Sequence, residues 1–139
     1  MSTPQADLTT VADVALTPEN FPIVDPRSYL KTALESMDRF GLGIVCICDE
    51  DNKLRGVLTD GDLRRKVLHN QKPFTALLSD DVIVHSATSP TTVSPETLLK
   101  DATALMGEKR IWDLPVTTAD GVLVGLLHLH PAIEAVLSQ

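Results

Sequence analysis

The sequence is poor in aromatic residues and in cysteine. Aromatic residues supply only 4% of its 139 residues, although 43% are hydrophobic, so the core must be built from aliphatic side chains. The two cysteines, Cys46 and Cys48, lie in one apolar run, and on a strand they would point to the same face, where they are poorly placed to bond each other. Two thiols alone do not make a zinc site, so we interpret both as buried, reduced residues.

Positive charge and long apolar runs are also scarce. The chain has 12 Lys and Arg against 19 Asp and Glu, a net charge of −7. This acidity argues against general nucleic-acid binding and against an anionic membrane surface, because both depend on basic residues that meet phosphates. No apolar run reaches membrane-spanning length, and the N-terminus lacks a basic-then-apolar signal pattern. We therefore expect a cytoplasmic protein with no nucleic-acid or membrane partner.

Sequence motifs of catalysis are missing as well. No Gly-x-Ser-x-Gly occurs, and neither cysteine has an obvious histidine partner. The stretch 56–62 lacks the Gly-Lys-Ser/Thr of a P-loop. We therefore expect no catalytic residue in this chain.

Hydrophobic periodicity predicts a series of short elements after a polar lead-in over residues 1–10. The stretch 72–90 has no strong period and is interpreted as a connector. The predicted elements are a helical turn over 11–16, a strand over 23–24, a helix over 26–40, strands over 43–48 and 54–58, and a helix over 60–69.

The sequence contains an internal repeat, which is seen when it is aligned with itself at an offset of 69 residues. Between Val24 and Leu68 the shift gives 12 identities in 45 positions without a gap. This predicts an α+β fold of two strand-helix-strand-strand-helix repeats, the first at 11–70 and the second, together with the connector, at 71–139. Neither repeat alone could bury a good core, so we expect the two to pack face to face as a pseudo-twofold pair.

The stretch from Gly56 to Arg65 carries the clearest chemistry. A buried strand there runs straight into a helix, which leaves helix N–H groups and the positive end of the dipole facing outward, an arrangement suited to phosphate. Thr59 offers a hydroxyl, Asp62 a carboxylate for a sugar diol, and Arg64 and Arg65 planar donors for phosphate oxygens. Thr59-x-x-Asp62 is also the spacing of a helix capping box, which needs no ligand.

These patterns together resemble a tandem pair of CBS domains, a Bateman module, over nearly the whole chain. The strings Ile47-Cys48-Asp49-Glu50, Gly56 to Arg65, and Gly125 to His130 are similar to the C-terminal CBS pair of arabinose 5-phosphate isomerases, enzymes of Kdo biosynthesis. The Thr-Asp-Gly-Asp-apolar-Arg-Arg string also resembles CBS pairs of some sugar nucleotidyltransferases. In the isomerase family a sugar-isomerase domain precedes the pair and carries the chemistry, and we expect this chain to be either the regulatory half of such a protein or a free-standing relative.

The resemblance implies a non-catalytic regulatory module that binds AMP, ATP or a nucleotide-linked Kdo such as CMP-Kdo in the cleft between the repeats. Thr59 would contact phosphate and Asp62 the ribose hydroxyls, with Asp60, Arg64 and Arg65 at the rim. No cofactor is implied beyond this regulatory ligand. A homodimer formed through the CBS helices is also implied. The alternative is a structural dimerisation domain that binds nothing.

The second repeat departs from the pattern, with His128 at the place of Thr59 and Pro131 at the place of Asp62. Proline suits the first turn of a helix but offers no side-chain acceptor. We therefore predict one competent half-site, in the first repeat, with His128 and His130 left as candidates for an anion contact. Two histidines lack the further ligands that a metal site requires.

Three other features are interpreted more plainly. His69 and His85 lie in polar surroundings and are assigned to the surface. Trp112 is assigned to packing or a partner interface rather than to base stacking. The acidic stretch 49–51 is interpreted as a solvated hairpin turn, since its carboxylates lack a return ligand for calcium.

Overall fold

The computed structural model describes residues 8–137, and they divide into two compact units. One unit comprises residues 19–90, and the other joins residues 8–18 to residues 91–137. Both units combine helices with a small sheet, which confirms the predicted α+β class.

In chain order the elements are α1 (Val11–Val14), a 3₁₀ turn (Pro18–Asn20), β1 (Ile23–Val24), α2 (Leu30–Phe40), β2 (Ile44–Cys48), β3 (Leu54–Thr59), α3 (Asp60–His69), α4 (Phe74–Leu77), a 3₁₀ turn (Val82–His85), α5 (Leu99–Lys109), β4 (Asp113–Thr117), β5 (Leu123–His128) and α6 (Leu129–Leu137).

The unit of residues 19–90 is built on a three-stranded sheet in the order β1-β2-β3. Strand β1 pairs in parallel with β2, and β2 pairs antiparallel with β3. All five side chains of β2 are buried, as its unbroken apolar run indicates. Helix α2 packs its apolar stripe against this sheet. The buried core consists of Leu30, Ala33, Met37, Val45, Ile47, Leu58, Leu77 and Val82.

The other unit repeats the same plan with fewer paired strands. Strands β4 and β5 form an antiparallel pair, and the counterpart of β1 is reduced to a single parallel bridge between Val93 and Val116. The core lies between this pair and the helices α1, α5 and α6. Its buried residues are Val11, Val93, Leu99, Ala102, Met106, Leu114, Val116, Leu127 and Ala132.

The strand registers confirm the 69-residue repeat. Ile44 lies opposite Thr59 in the first hairpin, and Asp113 lies opposite His128 in the second. Both hairpins also carry a register irregularity at equivalent positions, one beginning at Ile47 and the other at Val116. The two repeats therefore share their pairing scheme, residue by residue.

Residues 8–18 pack with the second repeat, although the predicted boundaries gave residues 1–10 as a separate lead-in and placed residues 11–18 in the first repeat. Thr9 O accepts from the N–H of Leu99 at 2.8 Å, which satisfies a donor at the start of α5. The backbone of Leu16 pairs in both directions with that of Leu126, at 2.8 and 3.0 Å. These hydrogen bonds explain why residues 8–18 fall into the unit with residues 91–137.

The connector packs with the first repeat, as residues 8–18 pack with the second. The prediction grouped the connector with the second repeat in residues 71–139. In the structure Asp80 O accepts from the N–H of Leu30 at 2.9 Å, at the start of α2. Ala87 pairs with Val57 as Leu16 pairs with Leu126. Residues 71–90 therefore belong to the unit of residues 19–90, because they satisfy the helix terminus and strand edge of that unit.

The interpretation of His85 as a surface residue was wrong. His85 is only 4% exposed, and its Nε2 is hydrogen-bonded to Asp80 Oδ2 at 2.8 Å. Lys72 Nζ donates to the other oxygen of Asp80 at 2.6 Å. Asp80 thus supplies the partner that permits a buried imidazole, and the polar composition of the connector does not reveal that pairing.

Folding lowers the pKa of the Asp80 carboxyl below its ordinary value of 3.8, through the hydrogen bonds from Lys72 and then from His85. A carboxyl whose pKa is lowered by folding stabilises the fold above its ordinary pKa, and this contribution is lost as the pH falls through the folded value. We therefore expect Asp80→Asn to lower the denaturation midpoint at pH 7, with a difference from the wild type that shrinks below pH 3.8. Urea denaturation curves across this range measure the difference.

The matched control is Asp81→Asn, since the side chain of Asp81 makes no capping hydrogen bond to the following 3₁₀ turn. This variant should leave the pH dependence of stability close to that of the wild type. Equal behaviour of the two variants would show that the hydrogen bonds of Asp80 add nothing to stability.

Candidate functional site

The junction between β3 and α3 lies at the surface of the first repeat. Leu58 is fully buried, Thr59 is half-buried and Asp60 is exposed, so the chain emerges within three residues. The N–H of Asp60 donates to Gly43 O at 3.0 Å, which ties the start of α3 to the residue preceding β2. The predicted strand-to-helix transition is therefore present, and it faces outward.

The predicted capping box is also present. The N–H of Thr59 donates to Asp62 Oδ2 at 3.1 Å, and the N–H of Asp62 donates to Thr59 Oγ1 at 3.2 Å. Both side chains thus have a structural role at the start of α3. The Asp62 side chain remains 22% exposed, so its carboxylate keeps acceptor capacity that a ligand can reach.

Arg65 completes the cluster at this junction. Its Nη2 donates to Asp62 Oδ1 at 2.7 Å, so both oxygens of the carboxylate have a partner. Arg64 is exposed and, within residues 8–137, forms no ion pair. The structure therefore brings Thr59, Asp62 and Arg65 together, while Arg64 and Asp60 lie beside them on the exposed surface.

A shallow depression of about 360 Å³ adjoins the junction. Asp60 lies on its wall, and the C-terminal end of α2 forms the opposite side. A Cβ at position 43 would lie 2.7 Å from Asp60 Oδ2, so a larger residue there would require the exposed Asp60 carboxylate to move. The depression is lined by Leu34, Met37, Asp38, Gly41, Leu42, Gly43 and Asp60.

The equivalent junction of the second repeat carries different chemistry. His128 Nδ1 is hydrogen-bonded to Asp113 Oδ1 at 2.7 Å, and the two residues lie directly opposite each other on β4 and β5. Burial raises the pKa of the Asp113 carboxyl, and the hydrogen bond from His128 opposes that rise. The Asp113 side chain is 9% exposed and that of His128 is 26% exposed. An oriented imidazole therefore replaces the threonine hydroxyl of the first repeat.

The other residues expected at this second junction lie further from it. His130 is exposed, and its Nε2 lies 2.8 Å from Glu134 Oε1 on the next turn of α6. Pro131 lies in the first turn of α6, where its missing N–H carries no cost. This position offers no carboxylate, so the second junction has no counterpart to Asp62.

Asp113 is a residue of this junction that the sequence interpretation did not identify. The 69-residue shift places Asp113 on Ile44 and His128 on Thr59, and the structure shows that Ile44 and Thr59 face each other in the first hairpin. The residues are 15 apart in sequence, so only a hairpin register connects them.

Within residues 8–137 no group of three or more His, Cys, Asp or Glu side chains is placed to hold a metal ion. In the acidic turn, the Asp49 carboxylate accepts from the N–H groups of Asp51 and Lys53 and from Arg55 Nε. Cys46 and Cys48 are buried and form no disulfide. Desolvation, with the nearby Asp49 charge, raises the pKa of Cys48 to about 11, which makes this thiol a poor nucleophile.

Across the described residues, no helix has both the length and the apolar character needed to cross a bilayer. The longest helices, α2 and α5, have 11 residues each, about half of what a membrane-spanning helix requires.

Comparison with known proteins assigns the fold and the repeat to a family. A model described as the CBS domain matches residues 11–69 and again residues 79–135. The chain therefore belongs to the CBS domain family and carries two such domains in tandem, which confirms the resemblance in the sequence.

Two of the relatives that match this chain in sequence are arabinose 5-phosphate isomerases. The arabinose 5-phosphate isomerase KdsD of Pseudomonas aeruginosa is 35% identical over 125 residues, and that of Yersinia pestis is 33% identical over 130 residues. Each match covers 90% of this chain but only 37% of the isomerase. The chain thus spans little more than a third of the length of these relatives.

Two solved structures show the same fold. The structure of CBSX2 in complex with AMP superposes with a TM-score of 0.82 and 30% sequence identity, and the match covers 94% of this chain and 97% of that one. A CBS domain-containing protein from Bacillus anthracis gives a TM-score of 0.84 at 16% identity, over 98% of this chain and 99% of that one. At this lower identity the likeness concerns the fold alone.

Proposed function

We propose that this chain is a non-catalytic regulatory module that binds an adenosine nucleotide or a related nucleotide-sugar at the β3–α3 junction. The observation that carries the proposal is the surface cluster of Thr59, Asp62 and Arg65, in which a hydroxyl, a carboxylate and a guanidinium group converge. The complex of the relative CBSX2 with AMP supports the ligand class.

The contacts made by this cluster leave capacity for a ligand. Thr59 Oγ1 accepts from the N–H of Asp62 but can still donate its own hydrogen to a phosphate oxygen. The Asp62 carboxylate has about four lone-pair sites. The N–H of Thr59 uses one on Oδ2 and Arg65 Nη2 uses one on Oδ1, so ribose hydroxyls would share this carboxylate with Arg65 or displace it. Asp60 and Arg64 are exposed beside this cluster and would contact the ligand at its edge.

The enzyme that this module regulates is inferred from its relatives. The isomerases that it matches act on arabinose 5-phosphate, and the matched region is 37% of their length. We infer that the chain modulates a sugar-phosphate isomerase of this type, and that a nucleotide-linked Kdo is a possible feedback ligand in addition to AMP and ATP. A regulatory module of a sugar nucleotidyltransferase is the alternative with the same site chemistry.

Calorimetry and thermal unfolding with AMP, ATP and CMP-Kdo test the proposal. A ligand that binds only the folded chain stabilises it by about 2.7 kcal/mol at a concentration of 100 times Kd. We expect at least one of these compounds to give both heat and a raised unfolding temperature. We also expect the 139-residue chain alone not to interconvert ribulose 5-phosphate and arabinose 5-phosphate. A complete absence of heat and of thermal shift would exclude these compounds as ligands.

Exposed apolar residues favour a second role, in dimerisation. On α6, Leu137 is 80% and Ile133 is 45% exposed, and Trp112 before β4 is 69% exposed. Large exposed apolar side chains of this kind are enriched at protein interfaces. A homodimer formed through the helices is compatible with ligand binding, whereas a purely structural module would be dimeric in sedimentation experiments and bind no nucleotide.

A further inference from the structure

Arg65 lies on the second turn of α3, but its guanidinium group lies over the first turn. Its Nη2 contacts Asp62 Oδ1 at 2.7 Å, and a Cβ at position 61 would lie 3.3 Å from its Nη1. The Cα–Cβ bonds of a helix tilt towards its N-terminus, so a long side chain can reach back in this way. The Arg65 side chain is 57% exposed. A solvent-accessible cation is therefore held at the N-terminal end of α3.

The sign of this charge is opposite to the one that a helix N-terminus favours. The N-terminal end of a helix carries partial positive charge, and cations are stabilised at the other end. Asp62 offsets the repulsion because its carboxylate contacts the guanidinium directly. An anion placed at this corner would be attracted by both the guanidinium group and the helix dipole.

Arg65 also competes with a sugar for the same carboxylate. Asp62 Oδ2 accepts from the N–H of Thr59, and Asp62 Oδ1 accepts from Arg65 Nη2. The hydroxyls of a ribose diol would donate to this carboxylate. Oδ1 is the oxygen better suited to accept them, because Oδ2 is already part of the capping box. A ligand that draws Arg65 away would make Oδ1 available to the sugar.

We propose that Arg65 is a specificity-determining residue that makes binding depend on a phosphate group. This inference rests on the proposed function, because it concerns the same site. In the chain as described, the guanidinium occupies Asp62 Oδ1. A phosphorylated nucleotide transfers the guanidinium to its phosphate oxygens and leaves Oδ1 to a sugar hydroxyl. An unphosphorylated nucleoside has no group to attract Arg65 and must compete with it.

Calorimetric titrations of AMP and adenosine into the wild type, Arg65→Gln and Lys66→Gln test this inference. Lys66 is the matched control, since it is an exposed cation on the same helix and lies outside the cluster. We expect the wild type to prefer AMP over adenosine by at least about tenfold, the size of one charge-assisted hydrogen bond. Arg65→Gln should weaken AMP binding by about tenfold and leave adenosine binding equal or tighter. Lys66→Gln should keep the wild-type preference.

The outcomes separate this inference from the proposed function. If the wild type binds neither AMP nor adenosine, the role proposed for Arg65 in AMP binding is overturned. If ATP and CMP-Kdo do not bind either, the proposed nucleotide site is wrong as well. If the wild type binds AMP but Arg65→Gln keeps the same preference, or loses both compounds equally, only the role of Arg65 is overturned. Arg65→Lys retains the charge and should restore part of the preference, and thermal unfolding of each variant verifies that the fold is intact.

Discussion

Asp62→Asn should lower the affinity for AMP by about tenfold to a hundredfold, because hydrogen bonds to a charged group contribute roughly 1.5–3 kcal/mol. The fold should be nearly unaffected, since an asparagine oxygen can still accept from the N–H of Thr59, as Asp62 Oδ2 does at 3.1 Å. Asp62→Ala removes the capping acceptor as well and should cost about 1 kcal/mol of stability. Calorimetry and chemical denaturation of both variants measure the two effects separately.

A second capping pair in the same chain provides the control. Asp13 Oδ2 accepts from the N–H of Thr10 at 2.9 Å, at the start of α1. This pair has the same Thr-x-x-Asp spacing but no arginine partner in the structure. Asp13→Asn should leave the affinity for AMP unchanged. If Asp62→Asn also left it unchanged, the capping role would be the whole function of Asp62.

Gly56→Ala should destabilise the fold by about 1–3 kcal/mol, which is typical of a side chain forced into a filled space. A Cβ at this position would lie 2.8 Å from Ala87 O and 3.0 Å from Ser86 Oγ. Ala87 O accepts from the N–H of Val57 at 2.9 Å, so it cannot withdraw without weakening that bond. The free energy of unfolding, measured by urea denaturation, gives the effect directly.

Two other glycines serve as controls for this steric explanation. Gly125 is the repeat equivalent of Gly56, and a Cβ there would lie 3.0 Å from Leu16 O, so its change to alanine should destabilise less. Gly107 lies within α5 with no neighbouring atom within 4 Å of a Cβ. Gly107→Ala should therefore stabilise the chain by about 0.5–1 kcal/mol, as expected within a helix. A stability loss at Gly107 as large as at Gly56 would refute the steric explanation.

Local pattern was sufficient to predict the repeated elements. The apolar stripe of α2 and the unbroken apolar run of β2 both depend on side-chain period. The predicted bounds of β2 agree with the structure to within one residue. Helix α2 begins only at Leu30, later than the predicted start at Pro26, because Tyr29 still has an extended backbone. The capping box at Thr59 and Asp62 was equally accessible, since its partners lie three residues apart.

Pairs that depend on distant partners were not predicted in the same way. His85 is buried because Asp80 supplies its hydrogen-bond partner, and the sequence alone suggested an exposed residue. Asp113 lies opposite His128 only because β4 and β5 pair in one register. Register and burial are set by packing over the whole unit, and composition does not report them.

The sequence by itself determined the two repeats, their elements and the outward-facing corner at Thr59 and Asp62, since each follows from local periodicity and spacing. Only the tertiary structure showed that residues 8–18 belong to the unit of the second repeat and residues 71–90 to that of the first. It also decided that the guanidinium of Arg65 lies over the first turn of α3. The two exchanged segments have the same physical reason. The polar groups of a helix terminus or a strand edge can be satisfied by any segment that lies close in space, whatever its position in the sequence.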